Sequence, residues 1–317
     1  MFGFIKMLNN LMTKLKQNKR LWFTTIFIVA CAGISLALLL LISTTDNISK
    51  EVYISQTKEF ESAFKDLEKL QEIKLQEIST ITSYDTTLIK AIEDNNIETI
   101  TKIKDDINTK LDQTDQNTLS IEFYSRQNNT DKFRSSVVSS LQTKNNIFGI
   151  EVLFDGVFYV YLLPIIKDDA VIGIVEAKES IYSIKNSFDR RSKEFTFLLD
   201  KKMLPFLSIK SKDGIYNDIG KNHIVNIKNH SNKIISYISS LDINTLEVLT
   251  KENYISDKEY FLNSRIIRDI NGVDIGLVVL GESINEESGF INMVQKMANQ
   301  VVMITLGLIV SLLLFLL

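Results

Sequence analysis

Residues 172–181 read IGIVEAKESI, and residues 275–284 read IGLVVLGESI. Six of the ten positions are identical, at an offset of 103 residues. A strand-like run and a polar turn precede each copy: YLLPIIKDDAV the first, FLNSRIIRDINGVD the second. Two apolar strands that end in a Glu-Ser cap can look alike by chance, which is the alternative. The shared Ile-Gly and Glu-Ser-Ile favour a true duplication, which predicts two related modules, each an antiparallel sheet flanked by helices.

Alternating apolar residues and turn residues predict the strands of both modules. Asp155-Gly156 and Lys167-Asp168-Asp169 each separate two β-rich runs and therefore predict hairpin turns, and Asp269-Ile-Asn-Gly predicts a third. The predicted strands are 119–124, 149–154, 157–164, 170–177, 195–200, 259–266 and 273–280.

Apolar residues at spacings of three and four predict the helices. Residues 47–81 contain no Pro or Gly and predict one long helix. A second helix is expected over 86–111, with Asp85 as its N-cap. Shorter helices are expected at 133–141 and 231–241, and the polar stretch 126–132 is predicted to be a loop. The fold class is therefore α+β, with two tandem modules on a long N-terminal helix.

Both ends of the chain are strongly apolar. Residues 21–42 carry no charge and are long enough to cross a bilayer, and residues 301–317 are also uncharged. The alternatives are a signal peptide for the first segment and a buried core helix for the second. Lys and Arg concentrate before the first segment, which predicts a cytoplasmic N-terminus and an exported middle region.

These patterns divide the chain into five predicted parts. They are a cytoplasmic stretch at 1–20, a transmembrane helix at 21–43, a juxtamembrane helix with a membrane-distal module at 44–190, a membrane-proximal module at 191–297, and a second transmembrane helix at 298–317. Because the second span ends at the last residue, we expect the sensing half of a receptor without its transmitter.

The run Gly149-Ile-Glu-Val, Gly156-Val-Phe-Tyr-Val, Pro164-Ile and Ile172-Gly-Ile-Val-Glu resembles the pattern of the double Cache domains. These tandem PAS-like sensory domains occur in bacterial chemoreceptors and sensor kinases. The resemblance covers roughly residues 44–295, but the loop Arg126–Arg134 is shorter and lacks a Gly-Asp-Asp segment. The second module follows the pattern only in its final hairpin.

This resemblance implies an extracytoplasmic ligand sensor of the bacterial inner membrane, acting in chemotaxis or in two-component or second-messenger signalling. It also implies a homodimer, with cytoplasmic signalling partners if a transmitter domain follows. The only tryptophan is Trp22, so the Arg-x-Trp-Tyr motif of the amino-acid-binding subclass is missing. The sequence therefore argues against that subclass.

Sequence motifs of enzymes are not found. The chain has no Gly-rich phosphate loop, no G-x-S-x-G and no C-x-x-C, and its two histidines, His223 and His230, have no carboxylate or Cys at metal spacing. A net charge of −3 without a clustered basic face argues against nucleic-acid binding. We expect neither an enzyme nor a cofactor or metal.

A PAS-like module binds a small ligand on its sheet, among aromatic and polar groups. An Arg there would pair with a ligand carboxylate, and a Tyr would offer an apolar face with a polar tip. The alternative is that the tyrosines are ordinary strand residues and the arginines surface residues, since the strand register decides which face each side chain takes. The candidate ligand-binding residues are Tyr124, Arg126, Arg134, Tyr159, Tyr161 and Glu176.

The leading prediction is a sensory module that binds a small molecule and passes a helix displacement across the membrane. The alternative is a structural or adaptor membrane protein whose exported domain binds another protein and no small ligand. An exported hydrolase would require a titratable cluster, which the sequence does not reveal.

Overall fold

The computed structural model describes residues 19–113, 119–127, 133–190, 193–208, 214–229, 232–257, 259–284 and 290–316. Residues 1–18, most of the predicted loop at 126–132, and His230 lie outside the described residues. The chain divides into two compact units, residues 1–55 with 290–317 and residues 56–289.

The first unit is helical where it is described. It holds the N-terminal part of helix α1 (Lys19–Ser83) together with helix α8 (Phe290–Leu316). The Gln295 amide donates a hydrogen bond to the Tyr53 hydroxyl at 3.2 Å. Large apolar side chains are exposed on both helices, among them Phe27, Leu36, Met303 and Leu308. Among the residues that the structure describes, no helix meets the length and hydropathy of a membrane-spanning segment.

Two short helices follow α1, where the sequence predicts one. They are α2 (Thr86–Glu93) and α3 (Ile97–Asp112). Asp85 caps α2 as predicted, since its carboxylate accepts hydrogen bonds from the backbone N–H groups of Thr87 and Leu88. The prediction of one continuous helix is wrong because Asn95 adopts a left-handed φ of 50° and Asn96 caps α3. Asparagine tolerates that conformation and also caps helices, so the pair ends one helix and begins the next.

The first sheet is a four-stranded antiparallel sheet of order β1-β4-β3-β2. Its strands are β1 (Leu119–Ser125), β2 (Ile147–Leu153), β3 (Gly156–Lys167) and β4 (Ala170–Ser180), and helix α4 (Ser135–Thr143) lies between β1 and β2 in the chain. Asp168 and Asp169 both have positive φ, which is the geometry of the type I′ turn that suits a two-residue hairpin. Val137 and Leu141 of α4 pack on one face of the sheet, against Val160, Leu162 and Ile174.

The second sheet is a six-stranded antiparallel sheet of order β6-β7-β5-β10-β9-β8. Its strands are β5 (Glu194–Asp200), β6 (Tyr216–Ile219), β7 (His223–Asn226), β8 (Tyr254–Ser256), β9 (Tyr260–Arg268) and β10 (Asp274–Ser283). A short helix, α5 (Lys185–Asp189), connects the two sheets, and helices α6 (Asn232–Ser240) and α7 (Ile243–Glu252) lie between β7 and β8 in the chain. Ile234 and Ile238 of α6 and Leu249 of α7 pack on this sheet.

The two copies of the repeat occupy equivalent strands. Strand β4 lies between β1 and β3, and β10 lies between β5 and β9. The repeated glycine has one physical reason in both copies. A Cβ on Gly173 would lie 2.7 Å from the Tyr124 carbonyl oxygen, and one on Gly276 would lie 2.3 Å from the Leu198 carbonyl oxygen. The repeat therefore specifies the same close approach between neighbouring strands in each module.

The repeated glutamate is also used in the same way. Glu179 and Glu282 are both buried, and each is paired with a lysine. Lys74 of α1 lies 2.9 Å from Glu179, and Lys193 pairs with Glu282. A buried carboxylate needs such a partner, because leaving it unpaired would be costly. The Glu-Ser part of the repeat thus ends each strand with a buried ion pair.

Candidate functional site

The first sheet has two different faces, because side chains alternate along a strand. One face carries Val160 and Leu162 and is covered by α4. Tyr159 and Tyr161 alternate with those residues and therefore lie on the opposite face. Tyr159 is paired in register with Glu179, whose carboxylate bonds to Lys74 of α1. Both faces therefore carry polar side chains.

Three of the predicted site residues meet on the α4 face. The Tyr124 hydroxyl donates a hydrogen bond of 2.6 Å to Oε2 of Glu176, and Arg134 donates one of 2.7 Å from Nη2 to the same oxygen. Nη1 of Arg134 lies 3.1 Å from Oε2 of Glu151, at ion-pair distance but without hydrogen-bond alignment. We call Tyr124, Arg134, Glu151 and Glu176 the carboxylate cluster.

Each member of the carboxylate cluster is positioned by a regular element. Tyr124 lies on β1, Glu151 on β2 and Glu176 on β4. Arg134 has an extended backbone and is the residue immediately before α4, so its side chain reaches back over the sheet. The Phe133 ring packs edge-on against the Tyr124 ring, with centroids 5.2 Å apart. Phe133 thus anchors the backbone next to Arg134.

Three buried polar atoms of this region have no hydrogen-bond partner within the described residues. They are Nε of Arg134, Oγ of Ser136 and Oε2 of Glu151. Ser136, the second residue of α4, is almost fully buried, and its hydroxyl lies near enough to the Glu151 carboxylate to lower the pKa of that group. Buried polar groups in folded proteins are nearly always satisfied, so three such atoms together make this region a candidate binding site.

Burial dominates the electrostatics of the carboxylate cluster. It raises the pKa of Glu151, and Arg134 only partly opposes this effect. It also raises the pKa of Tyr124, with the negative charge of Glu176 acting in the same direction. For Arg134, burial alone would lower the pKa, but the attraction of Glu176 and Glu151 outweighs it and raises the pKa. The arginine is therefore fixed as a cation between two carboxylates.

The other predicted site residues lie elsewhere. Arg126 follows β1, and its guanidinium donates to the Val171 carbonyl oxygen at 3.3 Å. Tyr161 accepts a hydrogen bond from the Asn146 amide at 2.9 Å, and the Tyr159 ring stacks with Phe148. Both tyrosines lie on the face opposite the carboxylate cluster. The structure brings together Tyr124, Arg134 and Glu176, but not Arg126, Tyr159 or Tyr161.

Sequence reasoning missed Glu151 as a site residue. The signal was present, because Glu151 is the acidic residue of the quoted run Gly149-Ile-Glu-Val, just as Glu176 ends the run Ile172-Gly-Ile-Val-Glu. The two acidic positions of the pattern lie on β2 and β4 and converge on one arginine. The two acidic positions of the pattern, taken together, therefore predict the carboxylate cluster.

The equivalent face of the second sheet is apolar. In the repeat, Glu176 corresponds to Val279, and the strand register places Leu198 where the first module has Tyr124. Leu198 and Val279 are buried in the core beneath α6 and α7. The two modules therefore share a scaffold but differ in polar content, and the carboxylate cluster belongs to the first module.

The second module does have an open groove of about 890 Å³, beside α6, α7 and β8. Tyr237 donates a hydrogen bond of 2.5 Å to Asp257 at this groove. His223 lies on β7, and burial lowers the pKa of its imidazole. Within the described ranges, no group of three His, Cys, Asp or Glu side chains has the geometry of a metal site.

No family model matches the chain, and no curated protein sequence matches it. Its fold is similar to that of several solved structures. The sensor domain of the histidine kinase DctB from V. cholerae is 12% identical with a TM-score of 0.37, and the match covers 72% of this chain and 97% of that domain.

Two further solved structures are similar at the same level. A domain of a sensory box/GGDEF family protein from Vibrio parahaemolyticus is 13% identical with a TM-score of 0.42, covering 77% of this chain and 98% of that one. The ligand-binding domain of Mlp24, solved with asparagine, is 10% identical with a TM-score of 0.34, covering 80% and 99%. These likenesses are distant.

Proposed function

We propose that the chain is the extracytoplasmic ligand-sensing part of a bacterial transmembrane receptor and acts by binding rather than by catalysis. The observation that carries the proposal is the carboxylate cluster, in which buried polar atoms of Arg134 and Glu151, and of the neighbouring Ser136, lack an aligned hydrogen bond. A ligand with matching polar groups would satisfy those atoms, and its binding would offset the cost of burying them.

The contrast between the modules supports the first module as the sensing one. Sheet, repeat glycine and terminal ion pair are equivalent in both, so they serve the fold. Glu176 and Tyr124 are replaced by Val279 and Leu198 in the second module, where the fold is formed without them. Polar side chains that are present in one module, and that the other module folds without, are candidates for a functional role.

The membrane part of the proposal rests on the two apolar segments at 21–43 and 298–317. Exposed apolar side chains such as Phe27, Leu36, Met303 and Leu308 on α1 and α8 are compatible with a lipid environment. We further propose a two-pass topology with residues 44–297 outside, a homodimer, and a cytoplasmic signalling partner. Ligand binding would then displace one helix relative to the other.

Thermal unfolding of the full chain in detergent, with and without a metabolite library, tests the proposal. We expect at least one small molecule to raise the melting temperature of the wild type, and to lose that effect in Glu176→Gln and Arg134→Gln. Glu247→Gln and Arg126→Gln are matched controls outside the cluster and should keep the response. If no compound stabilises the wild type, or if the cluster variants respond as the controls do, the proposal is wrong.

A further inference from the structure

The charges of the carboxylate cluster are unequal. Two carboxylates, Glu151 and Glu176, face a single guanidinium, Arg134. Both terminal nitrogens of that guanidinium already lie at ion-pair distance from a carboxylate of the same chain. An anionic ligand would therefore bring a third negative charge to an arginine that is already neutralised, which is unfavourable in a buried site.

The three charged groups also differ in depth. The side chains of Glu151 and Glu176 are 8% and 1% exposed, whereas that of Arg134 is 29% exposed. The carboxylates thus form the floor of the site, and the cation lies above them, nearer to solvent. A molecule arriving from solvent meets the arginine first and reaches the carboxylates only by replacing it.

We infer that the site recognises a cationic head group, a guanidinium or a primary ammonium, and that the Arg134 side chain is a tethered substitute which the ligand displaces. This inference rests on the proposed function and names the ligand class of the same site. The cation would pair with Glu151 and Glu176 and lie beside the Tyr124 and Phe133 rings, which attract cations through their faces.

The unpartnered atoms suit this exchange. Oε2 of Glu151 and Oγ of Ser136 can both accept a hydrogen bond, and Nη1 of Arg134 lies 3.1 Å from Oε2 of Glu151 without hydrogen-bond alignment. A free cation is not restrained by the backbone before α4 and can align its N–H groups with both acceptors. The tethered arginine, by contrast, keeps Nε unsatisfied. Exchange for a free cation would therefore improve the hydrogen bonding of the site.

Chemical rescue tests the inference. Arg134→Ala leaves two buried carboxylates without a cation and should lower the melting temperature of the full chain by about 10 °C. Millimolar ethylguanidinium should restore much of the loss, whereas ethylurea, which is neutral and of the same shape, and propionate should not. Removing the tethered competitor should also make ethylguanidinium bind roughly tenfold more tightly than it binds the wild type.

Two variants serve as controls. Arg126→Ala removes an arginine outside the cluster and should show no rescue, and Arg134→Ala with Glu176→Gln should lose most of the rescue. Equal rescue by ethylguanidinium and ethylurea, or rescue by propionate, would overturn the inference. If Arg134→Ala does not fold, the melting temperature of the wild type decides the question. A larger increase with small amines than with small carboxylic acids supports the inference, and a larger increase with the acids overturns it.

The outcomes separate this inference from the proposed function. If a carboxylate compound stabilises the wild type and depends on Glu176 and Arg134, the sensing role stands and the cationic ligand class is wrong. If no compound of any charge stabilises the wild type, the sensing role and the cationic ligand class are both wrong.

Discussion

Tyr159 is fully buried on the face of the first sheet opposite the carboxylate cluster. Its hydroxyl has no hydrogen-bond partner within the described residues, and burial raises its pKa well above the usual value. A buried, unsatisfied hydroxyl costs stability, so Tyr159 serves the fold through its ring rather than through its polar tip.

Removing that hydroxyl should not harm the protein. We expect Tyr159→Phe to leave the free energy of unfolding unchanged or to raise it by about 1 kcal/mol. Tyr161→Phe is the matched control and should lower it by about 1 kcal/mol, because Tyr161 loses the hydrogen bond from Asn146. Denaturant unfolding of both variants measures the difference, and a clear loss of stability in Tyr159→Phe would show that its hydroxyl has a partner.

Glu151 makes stability depend on pH. Its pKa is raised above the usual 4.5, with burial as the main cause, so the folded chain holds the proton to higher pH than the unfolded chain does. This group therefore adds stability below pH 4.5, and the contribution is lost as pH rises through the folded-state pKa.

We predict that Glu151 changes the slope of the melting temperature against pH. The melting temperature of the wild type should fall relative to Glu151→Gln as pH rises from 4.5 through the folded-state pKa, because only the wild type acquires the buried charge. Melting curves of both proteins over that pH range measure the effect. Parallel curves would mean that Glu151 titrates alike in the folded and unfolded chain.

At the scale of elements, the turn between β9 and β10 connects the two modules. The Ile270 N–H donates to the Ile150 carbonyl oxygen at 3.0 Å, and the Ile270 side chain packs on the core beneath α4. Asp269 holds the turn by accepting from the N–H groups of Asn271 and Val273. Since Ile150 precedes Glu151 on β2, the turn touches the strand that carries part of the carboxylate cluster.

The contact depends on Gly149. A Cβ at this position would lie 2.6 Å from Cγ1 of Ile270, so Gly149→Ala forces the Ile270 side chain to shift. We expect it to lower the free energy of unfolding by about 1–3 kcal/mol, as overpacking of a core does. Combining it with Ile270→Ala should cost less than the sum of the two single changes, and strict additivity in this double-mutant cycle would show that the two residues do not interact.

The elements that the sequence predicted are those with strong local signals. Alternation and turn residues located β1 to β4, β5, β9 and β10, and Asp85 marked the start of α2. The helix α7 and the short strands β6, β7 and β8 were missed, the strands because three or four residues have too little alternation to stand out. The break at Asn95 was missed because a regular stripe of Leu and Ile continues through it.

For the candidate site, the sequence indicated which residue types take part, but it did not indicate which face of the sheet each side chain occupies. Tyr124, Arg134 and Glu176 were predicted and do meet, at the hydrogen bonds that Tyr124 and Arg134 donate to Glu176. Tyr159 and Tyr161 were predicted by the same argument but lie on the other face, since a shift of one residue in a strand reverses the side that its side chain takes. Only the register between β3 and β4 settles that choice.

At the scale of the whole molecule, the two modules are built on one scaffold and differ in one polar set. The strand order around β4 and β10, the close approach at Gly173 and Gly276, and the terminal ion pairs are shared. The carboxylate cluster is found in the first module, and the matching positions of the second are Leu198 and Val279. On this difference rests our proposal that recognition belongs to the first module.

The most direct test of this assignment is an experimental structure of the full chain with a compound that stabilises it. We expect density for the compound on the α4 face of the first sheet, in contact with Glu151 and Glu176, with the Arg134 side chain moved away from them. Density for the compound in the groove beside α6 and α7, with the carboxylate cluster unchanged, would contradict it.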